Sequence, residues 1–299
     1  MRCSAIVPST FSIVALDPST GEVGVAVASK FLAVGAVVPW ARAGAGAVAT
    51  QAWANLGYGP QGLDLLARGH SAEDVVRLLT EPDPQRDHRQ VGVVDCRGNA
   101  AAWTGRECLA WAGHRTGRGY TCQGNILAGA AVVDRMAEAF EGSTGPLPER
   151  LLAALEAGQA AGGDSRGQQS AALYVAKEKG SYGGYLDRYI DLRVDDHPTP
   201  LVELRTLLEL HRLYFGTTDP ARLTPLTGAV AREVQQILRR LGYYRGEITG
   251  VYDDATREAF RRFCAIENFE ERWREDDLVD GEILQFMRRR FGAPADPQR

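Results

Sequence analysis

Two apolar runs open the chain, Thr10–Asp17 and Glu22–Lys30, with Pro18-Ser19-Thr20-Gly21 between them. β-Branched runs around a turn composition predict a hairpin. In the second run Val23, Val25 and Val27 alternate with Gly24, Ala26 and Ala28, so one face is bulky and the other admits a close neighbour. A third strand with the same small-residue habit is expected near Gly46–Trp53. Pro60 and Gly69 bound one helix, and Ser71 caps a second over Ala72–Thr80 with Val75, Val76, Leu78 and Leu79 inward. Strands resume at Gln90–Asp95 and Ala100–Thr104. Helices at Ile126–Glu141 and Pro148–Ala160 lead to strands at Ser170–Lys177 and Tyr189–Val194, and Glu203–Tyr214 is a further helix. Strands, a helical layer and strands again predict an α+β class with helices covering sheets.

Beyond Thr217–Pro225, expected to be a linker, the pattern turns helical. Val230, Val234, Ile237, Leu238 and Leu241 share one helical face, which Gly242 ends. Asp253 or Asp254 caps a second helix bearing Ala259, Phe260 and Phe263. Asp280 opens a third with Ile283, Leu284, Met287 and Phe291. The expected division is an extension (1–9), a large domain (10–216), the linker (217–225), a small all-α domain (226–292) and a frayed tail (293–299).

Composition changes this picture little. A chain of 299 residues, 44% hydrophobic and 24% charged, fits one large and one small globular domain. The net charge of −4 argues against a nucleic-acid-binding surface, and Arg288-Arg289-Arg290 reads as the last turn of a helix. No apolar run is long enough to cross a bilayer, and Met1–Pro8 lacks the apolar core of a leader, so the reading is cytoplasmic with no membrane partner. Five scattered cysteines without a CxxC pair read as reduced, mostly buried thiols. The histidines lack ligand spacing, and Gly113–Gly119, without a GK[ST] ending, reads as a loop. No metal and no cofactor is expected.

The first hairpin carries the candidate chemistry. Pairing Asp17 with Glu22 puts Thr10 opposite Ser29, with Lys30 one step on. A threonine hydroxyl needs a base, and a free α-amine on the same residue, with a pKa of about 7.7–8.0, can serve. Threonines also open strands for propensity alone. Asn125 is either an amide donor to a developing oxyanion or a helix cap. Asp164 and Arg166 either orient the amine and hold a substrate carboxylate or form an ion pair that fixes a tight loop. Gln51 and Ser29 are polar lining or ladder ends.

Seven segments, Thr10–Ala15, Gly24–Gly35, Val38–Arg42, Ala49–Gln51, Arg89–Asp95, Gln123–Leu127 and Gly163–Ala172, together resemble one bacterial family. It is the N-terminal-nucleophile (Ntn) hydrolase-like domain of unknown function 1028, and the resemblance runs from Thr10 to about Phe215. It implies a four-layer αββα sandwich in which Thr10 is nucleophile and base; the hairpin register adds Ser29 and Lys30 beside it, and the ends of regular elements are expected to bring Asn125, Asp164 and Arg166 to the same pocket. Gln51 and Ser170 would line the substrate site. In many members the matching threonine directly follows the initiator methionine. Here nine residues precede it, so its amine is blocked unless the Ser9–Thr10 bond is cut.

Val234-Gln235, Leu238, Leu241-Gly242-Tyr243-Tyr244, Gly246, Gly250, Tyr252-Asp253-Asp254, Thr256, Ala259-Phe260 and Phe263 resemble peptidoglycan-binding modules over about Leu226–Phe291. Tyr243, Tyr244 and Tyr252 either stack on a sugar or complete a small core. Two functions follow. One is an Ntn-type amidohydrolase cleaving a carbon–nitrogen amide bond of a small or wall-derived substrate through Thr10. The other is a catalytically silent protein that binds peptidoglycan fragments or a protein partner. Self-association is left open by the sequence.

Overall fold

A computed structural model describes residues 10–292. The expected extension (1–9) and tail (293–299) lie outside the described residues, as does Cys3. The chain divides into two compact units, up to Leu208 and from Glu209. Among the described residues there are eight helices and three antiparallel sheets, a mixed α/β architecture.

The first unit runs β1 (Thr10–Leu16), β2 (Val23–Ser29), β3 (Pro39–Arg42), β4 (Gly46–Ala52), α1 (Tyr58–Ala67), α2 (Ala72–Thr80), β5 (Arg89–Asp95) and β6 (Ala100–Thr104). It continues with β7 (Gly113–Gly117), β8 (Tyr120–Asn125), α3 (Ala131–Gly142), α4 (Leu147–Ala160), β9 (Ser170–Ala176) and β10 (Arg188–Val194). Helix α5 (Pro200–Phe215) contains the division between the units. One sheet has the order β10-β9-β2-β1-β8-β7 and the other β3-β4-β5-β6.

Strand alternation sets the packing. Phe11, Ile13 and Ala15 of β1 point to one side of the larger sheet, into a cluster with Val132, Met136 and Phe140 of α3 and Leu151, Leu152 and Leu155 of α4. Val14 and Leu16 point to the other side and meet Val23, Val25, Val27, Ala47, Ala49 and Val94. The small face of β2 is the helix side: a Cβ on Gly24 would lie 3.2 Å from Leu151 and 2.6 Å from the Tyr174 carbonyl. The outer face of the smaller sheet, Val48, Val91 and Val93, buries against Leu63, Leu66, Val75, Val76 and Leu79 of α1 and α2. Ser71 caps α2 as expected, accepting from the Asp74 amide. Leu78, expected inward, is exposed.

Several expectations need correction. Strand β3 was not anticipated. Gly113–Gly119 is not a loop: it holds β7 and the turn into β8, whose polar inner face hides it from a hydrophobic pattern. Helix α3 starts at Ala131 rather than Ile126, because Ile126 adopts φ 52°, outside the helical region.

The second unit holds α6 (Gly228–Arg240), α7 (Asp254–Ile266) and α8 (Gly281–Phe291). It is not all-α: β11 (Leu223–Pro225) pairs antiparallel with β12 (Leu278–Asp280). The segment 217–225, read as a linker, thus contains β11, and Thr218 Oγ1 donates to Asp280. Asp253 caps α7 and Asp280 caps α8. Arg272 is buried, pairing with Asp280 and donating to the carbonyls of Arg212 and Leu213. That guanidinium caps the last turn of α5, adding to the bond that the Gly216 amide donates to the Arg212 carbonyl. Buried Gln235 donates to the Val251 carbonyl and to Thr256 Oγ1 and accepts from the Gly250 amide, which fixes the turn before α7.

Just before β5, the Asp83 carboxylate accepts from Tyr58 Oη at 2.7 Å, Arg89 Nε at 3.0 Å and the Gln85 amide at 2.8 Å. Burial pushes its pKa up, but the donors Tyr58, Gln85, Arg89 and Asn55 together outweigh burial and hold it at about 2. The folded value lies below the unfolded one of about 3.9, so the contribution is full above about pH 4 and is lost as pH falls through about 2. Urea denaturation of Asp83→Asn against the parent should show a stability gap that narrows between about pH 5 and pH 2. A gap constant over that window contradicts the assignment.

Candidate functional site

The space between the two sheets is apolar at one end and polar at the other. Along β1 the inner face reads Thr10, Ser12, Val14, Leu16, so the polarity switches halfway down a single strand. Thr10 heads a central strand, pairing with Ser29 on β2 and with Asn125 on β8. The hairpin register is the one expected from sequence. Thr10, Ser29, Asn125, Gln51, Gln90, Gln123 and Ser12 are all buried.

A continuous hydrogen-bond chain joins them across the sheets. Thr121 Oγ1 donates to Gln123 Oε1, and Gln123 Nε2 donates to Ser12 Oγ at 2.6 Å. Ser12 Oγ donates to Gln51 Oε1 at 2.6 Å, and Gln51 Nε2 to Gln90 Oε1 at 2.8 Å. Gln90 Nε2 then donates to Thr104 Oγ1 and to the carbonyls of Gly113 and Gly124. Asn125 Nδ2 donates to Gln90 Oε1 at 3.1 Å, while Gln51 Nε2 also reaches the Thr10 carbonyl at 3.3 Å. Thr10 Oγ1 donates to Ser29 Oγ at 3.3 Å. Gly92 makes room for this chain: a Cβ there would lie 2.2 Å from Gln123 Oε1.

The strand ends are strained where the polar residues sit. Ala52, directly after Gln51, has φ 61°, and Ile126, directly after Asn125, has φ 52°. Each left-handed non-glycine residue costs about 1–3 kcal/mol, and such strain gathers at functional sites. Ile126 is held there from both sides: its amide donates to the Leu109 carbonyl, and its own carbonyl accepts from the amide and hydroxyl of Ser165. Asn125 is therefore a strand-end residue, five positions short of the α3 cap at Ala130, and not the helix cap that the sequence left open.

Asp164 and Arg166 stand beside this end through a bridge between Leu127 and Asp164. Asp164 accepts from the Lys30 amide at 2.8 Å, the Arg166 amide at 2.9 Å and the Arg166 guanidinium at 3.1 Å. The guanidinium also donates to the Lys30 carbonyl. The Lys30 backbone thus joins the cluster, whereas its exposed ammonium turns to the Gln168 carbonyl rather than to Thr10. Ser170 pairs with Ser29 on the ladder, but its hydroxyl donates to the Phe31 carbonyl and accepts from the Val34 amide, fixing the turn after β2.

The tyrosines of the second unit are mostly core. Tyr244 is buried with its hydroxyl on the Glu247 carbonyl, Tyr252 is buried beneath Arg257, and Tyr243 packs edge-on against Phe263. Sequence reasoning missed Ser12, Gln90 and Gln123. The available signal was the row of polar residues at alternate positions in β8, namely Thr121, Gln123 and Asn125. Among the described residues no group of three His, Cys, Asp or Glu side chains could hold a metal ion, and no helix is long and apolar enough to cross a membrane.

The network makes a mutational prediction. Gln90→Leu keeps the volume but strips a donor from the buried Gly124 carbonyl and the half-buried Gly113 carbonyl, and an acceptor from Gln51 and Asn125. It should lower stability by about 2–3 kcal/mol in urea denaturation. A loss below about 0.5 kcal/mol would mean that the chain is not a stability element.

Two family models match this sequence. Residues 10–204 match a family of unknown function, DUF1028, and residues 214–287 match the domain described as "Putative peptidoglycan binding domain". A Silicibacter pomeroyi protein of the DUF1028 family, known from its crystal structure, is similar at 34% identity over 75% of this chain and 89% of its own, with a TM-score of 0.63. No curated protein matches the chain. The match over residues 214–287 follows that of the larger domain, and the chain belongs to the DUF1028 family of unknown function.

Proposed function

We propose that the first unit is an Ntn-type amidohydrolase cutting a carbon–nitrogen amide bond through Thr10, and that its layers are the αββα sandwich of that class. The supporting observation is the placement of Thr10 at the head of a central strand, between Ser29 and Asn125, where the inter-sheet space turns polar. Activation requires attack of Thr10 Oγ1 on the Ser9 carbonyl carbon, with the Thr10 nitrogen leaving as an amine. Water then hydrolyses the resulting ester, releasing residues 1–9 as a carboxylate and freeing both the amine and the hydroxyl of Thr10.

In the processed enzyme the α-amine takes the hydroxyl proton as Oγ1 attacks the substrate carbonyl. Asn125, oriented by its bond to Gln90, donates to the developing oxyanion. The acyl-threonine ester is then hydrolysed by water. Arg166, clamped on Asp164, presents a fixed guanidinium to a substrate carboxylate. The second unit contributes recognition of peptidoglycan fragments, which makes a wall-derived amide the substrate class that best suits the whole chain.

A second reading, a catalytically silent binding protein, is favoured by one observation: nine residues precede Thr10, and while they remain its amine is an amide and not a base. The two readings separate in an assay of amide release from peptidoglycan-derived amides. For the enzyme, Thr10→Ala should lower turnover by about 10⁴-fold or more. Stability should fall by only about 1–2 kcal/mol, because one buried methyl group and the hydroxyl contact with Ser29 are lost. Turnover should rise through about pH 7.7–8.0 as the amine deprotonates. Equal turnover in the parent and Thr10→Ala rejects Thr10 as the nucleophile.

A further inference from the structure

The second unit contains an open cavity of about 500 Å³ lined by Asp254, Arg257, Glu258, Arg261, Trp273 and Glu275. That volume lies within the usual range for small-ligand sites. Most of its charges are already engaged. Arg261 grips Glu258 through two bonds of 2.9 Å, and Arg257 donates to Asp254 and to Asp277. What remains is a particular set of unfilled groups. Among the described residues, Trp273 Nε1 and Arg257 Nε are buried donors without a partner. Beneath Arg257, whose Cζ lies 5.2 Å from the Tyr252 ring centroid, the hydroxyl of the buried Tyr252 has no partner either. Glu275 lines the same cavity, is exposed, and makes no ion pair among the described residues.

Buried donors are nearly always paired, because leaving one unpaired costs about 1–3 kcal/mol. Two on residues that line one cavity, with a third on the ring beneath Arg257, point to an acceptor-rich ligand. A free acid on the same wall points to a cation on that ligand, and an indole offers an apolar surface. A neutral glycan satisfies the donors but leaves Glu275 unopposed. A short peptide with a free carboxylate and a free ammonium satisfies all of them.

We propose that this cavity binds the charged peptide portion of a peptidoglycan fragment. Its carboxylate lies on Arg257 and Trp273, its ammonium faces Glu275, and its aliphatic stem packs on the indole. The inference rests on the reading that the second unit recognises peptidoglycan fragments, and it adds where and by which part. It also moves recognition away from Tyr243 and Tyr244, which serve the core.

Calorimetric titration of the full-length protein tests it, with two probes: a lysine-containing tetrapeptide stem and an uncharged N-acetylglucosamine tetramer. The peptide should bind the parent, and Glu275→Gln should weaken it about tenfold, the scale of one charge-assisted hydrogen bond. Acetylating the peptide's amines should abolish the difference between parent and Glu275→Gln. Trp273→Phe, which removes only the indole N–H and one ring, should weaken the peptide to a similar extent. Peptide affinity unchanged in both variants overturns the site while leaving fragment recognition standing. Binding of the tetramer alone overturns the peptide assignment. Binding of neither probe overturns the site together with the reading beneath it.

Discussion

A polar group sealed between two sheets must find a partner, or it costs the fold about 1–3 kcal/mol. One end of the first unit is organised by that constraint. Gln123 donates to Ser12, Ser12 to Gln51, Gln51 to Gln90 and Gln90 to the Gly124 carbonyl, a chain that crosses the inter-sheet space and returns, so no one of them can rotate without orphaning a neighbour. Such a chain is rigid because its satisfaction is collective. It fixes Asn125, which flanks Thr10, through Gln90, and it holds the backbone of Thr10 itself through the bond from Gln51 to the Thr10 carbonyl. An apolar filling would have held the sheets together as well, as it does at the Val14 end. The polar filling supplies orientation, which catalysis needs and stability alone does not.

The legible part of this arrangement was the part written in strand periodicity. The β1–β2 hairpin follows from alternating valines around a Pro-Ser-Thr-Gly turn, and with the turn fixed the opposition of Thr10 and Ser29 follows too. The meeting of Thr10 with Asn125 is a different matter. It needs β8 to return beside β1 after more than a hundred residues, and nothing local in Tyr120–Asn125 announces a central strand. That strand is polar on the face that sequence reasoning expects to be apolar, which is why it and its partner β7 went unread. The same blindness hid Gln90, which reaches the Gly124 carbonyl on the opposite sheet, and Gln123, which bonds to Ser12 on the neighbouring strand. Asp164 and Arg166 were legible as a tight ion-paired loop, whereas the convergence of both on the Lys30 backbone was not.

The smaller unit shows the converse case. Its helices and their Asp caps were readable, because capping is a local event. Its two-stranded sheet was not, since β11 and β12 are three residues each and lie far apart in sequence. They meet because Arg272 and Asp280, both buried, are held to each other and to the end of α5. A buried ion pair is tolerated when its remaining hydrogen-bonding capacity is used, and here Thr218 and two carbonyls use it. The tyrosines that suggest sugar stacking from sequence are largely spent on that same small core, and the cavity with unfilled polar groups lies at Trp273.

The central claim, that Thr10 is a nucleophile released by scission of the bond before it, has one direct measurement. Intact mass spectrometry of the purified protein reads the state of that bond without any knowledge of the substrate. The account predicts a chain that has lost Met1–Ser9 and begins with a free Thr10 amine, and it predicts that the Thr10→Ala protein keeps all 299 residues. A parent protein that stays full-length under the conditions in which it releases an amine from an amide would contradict it.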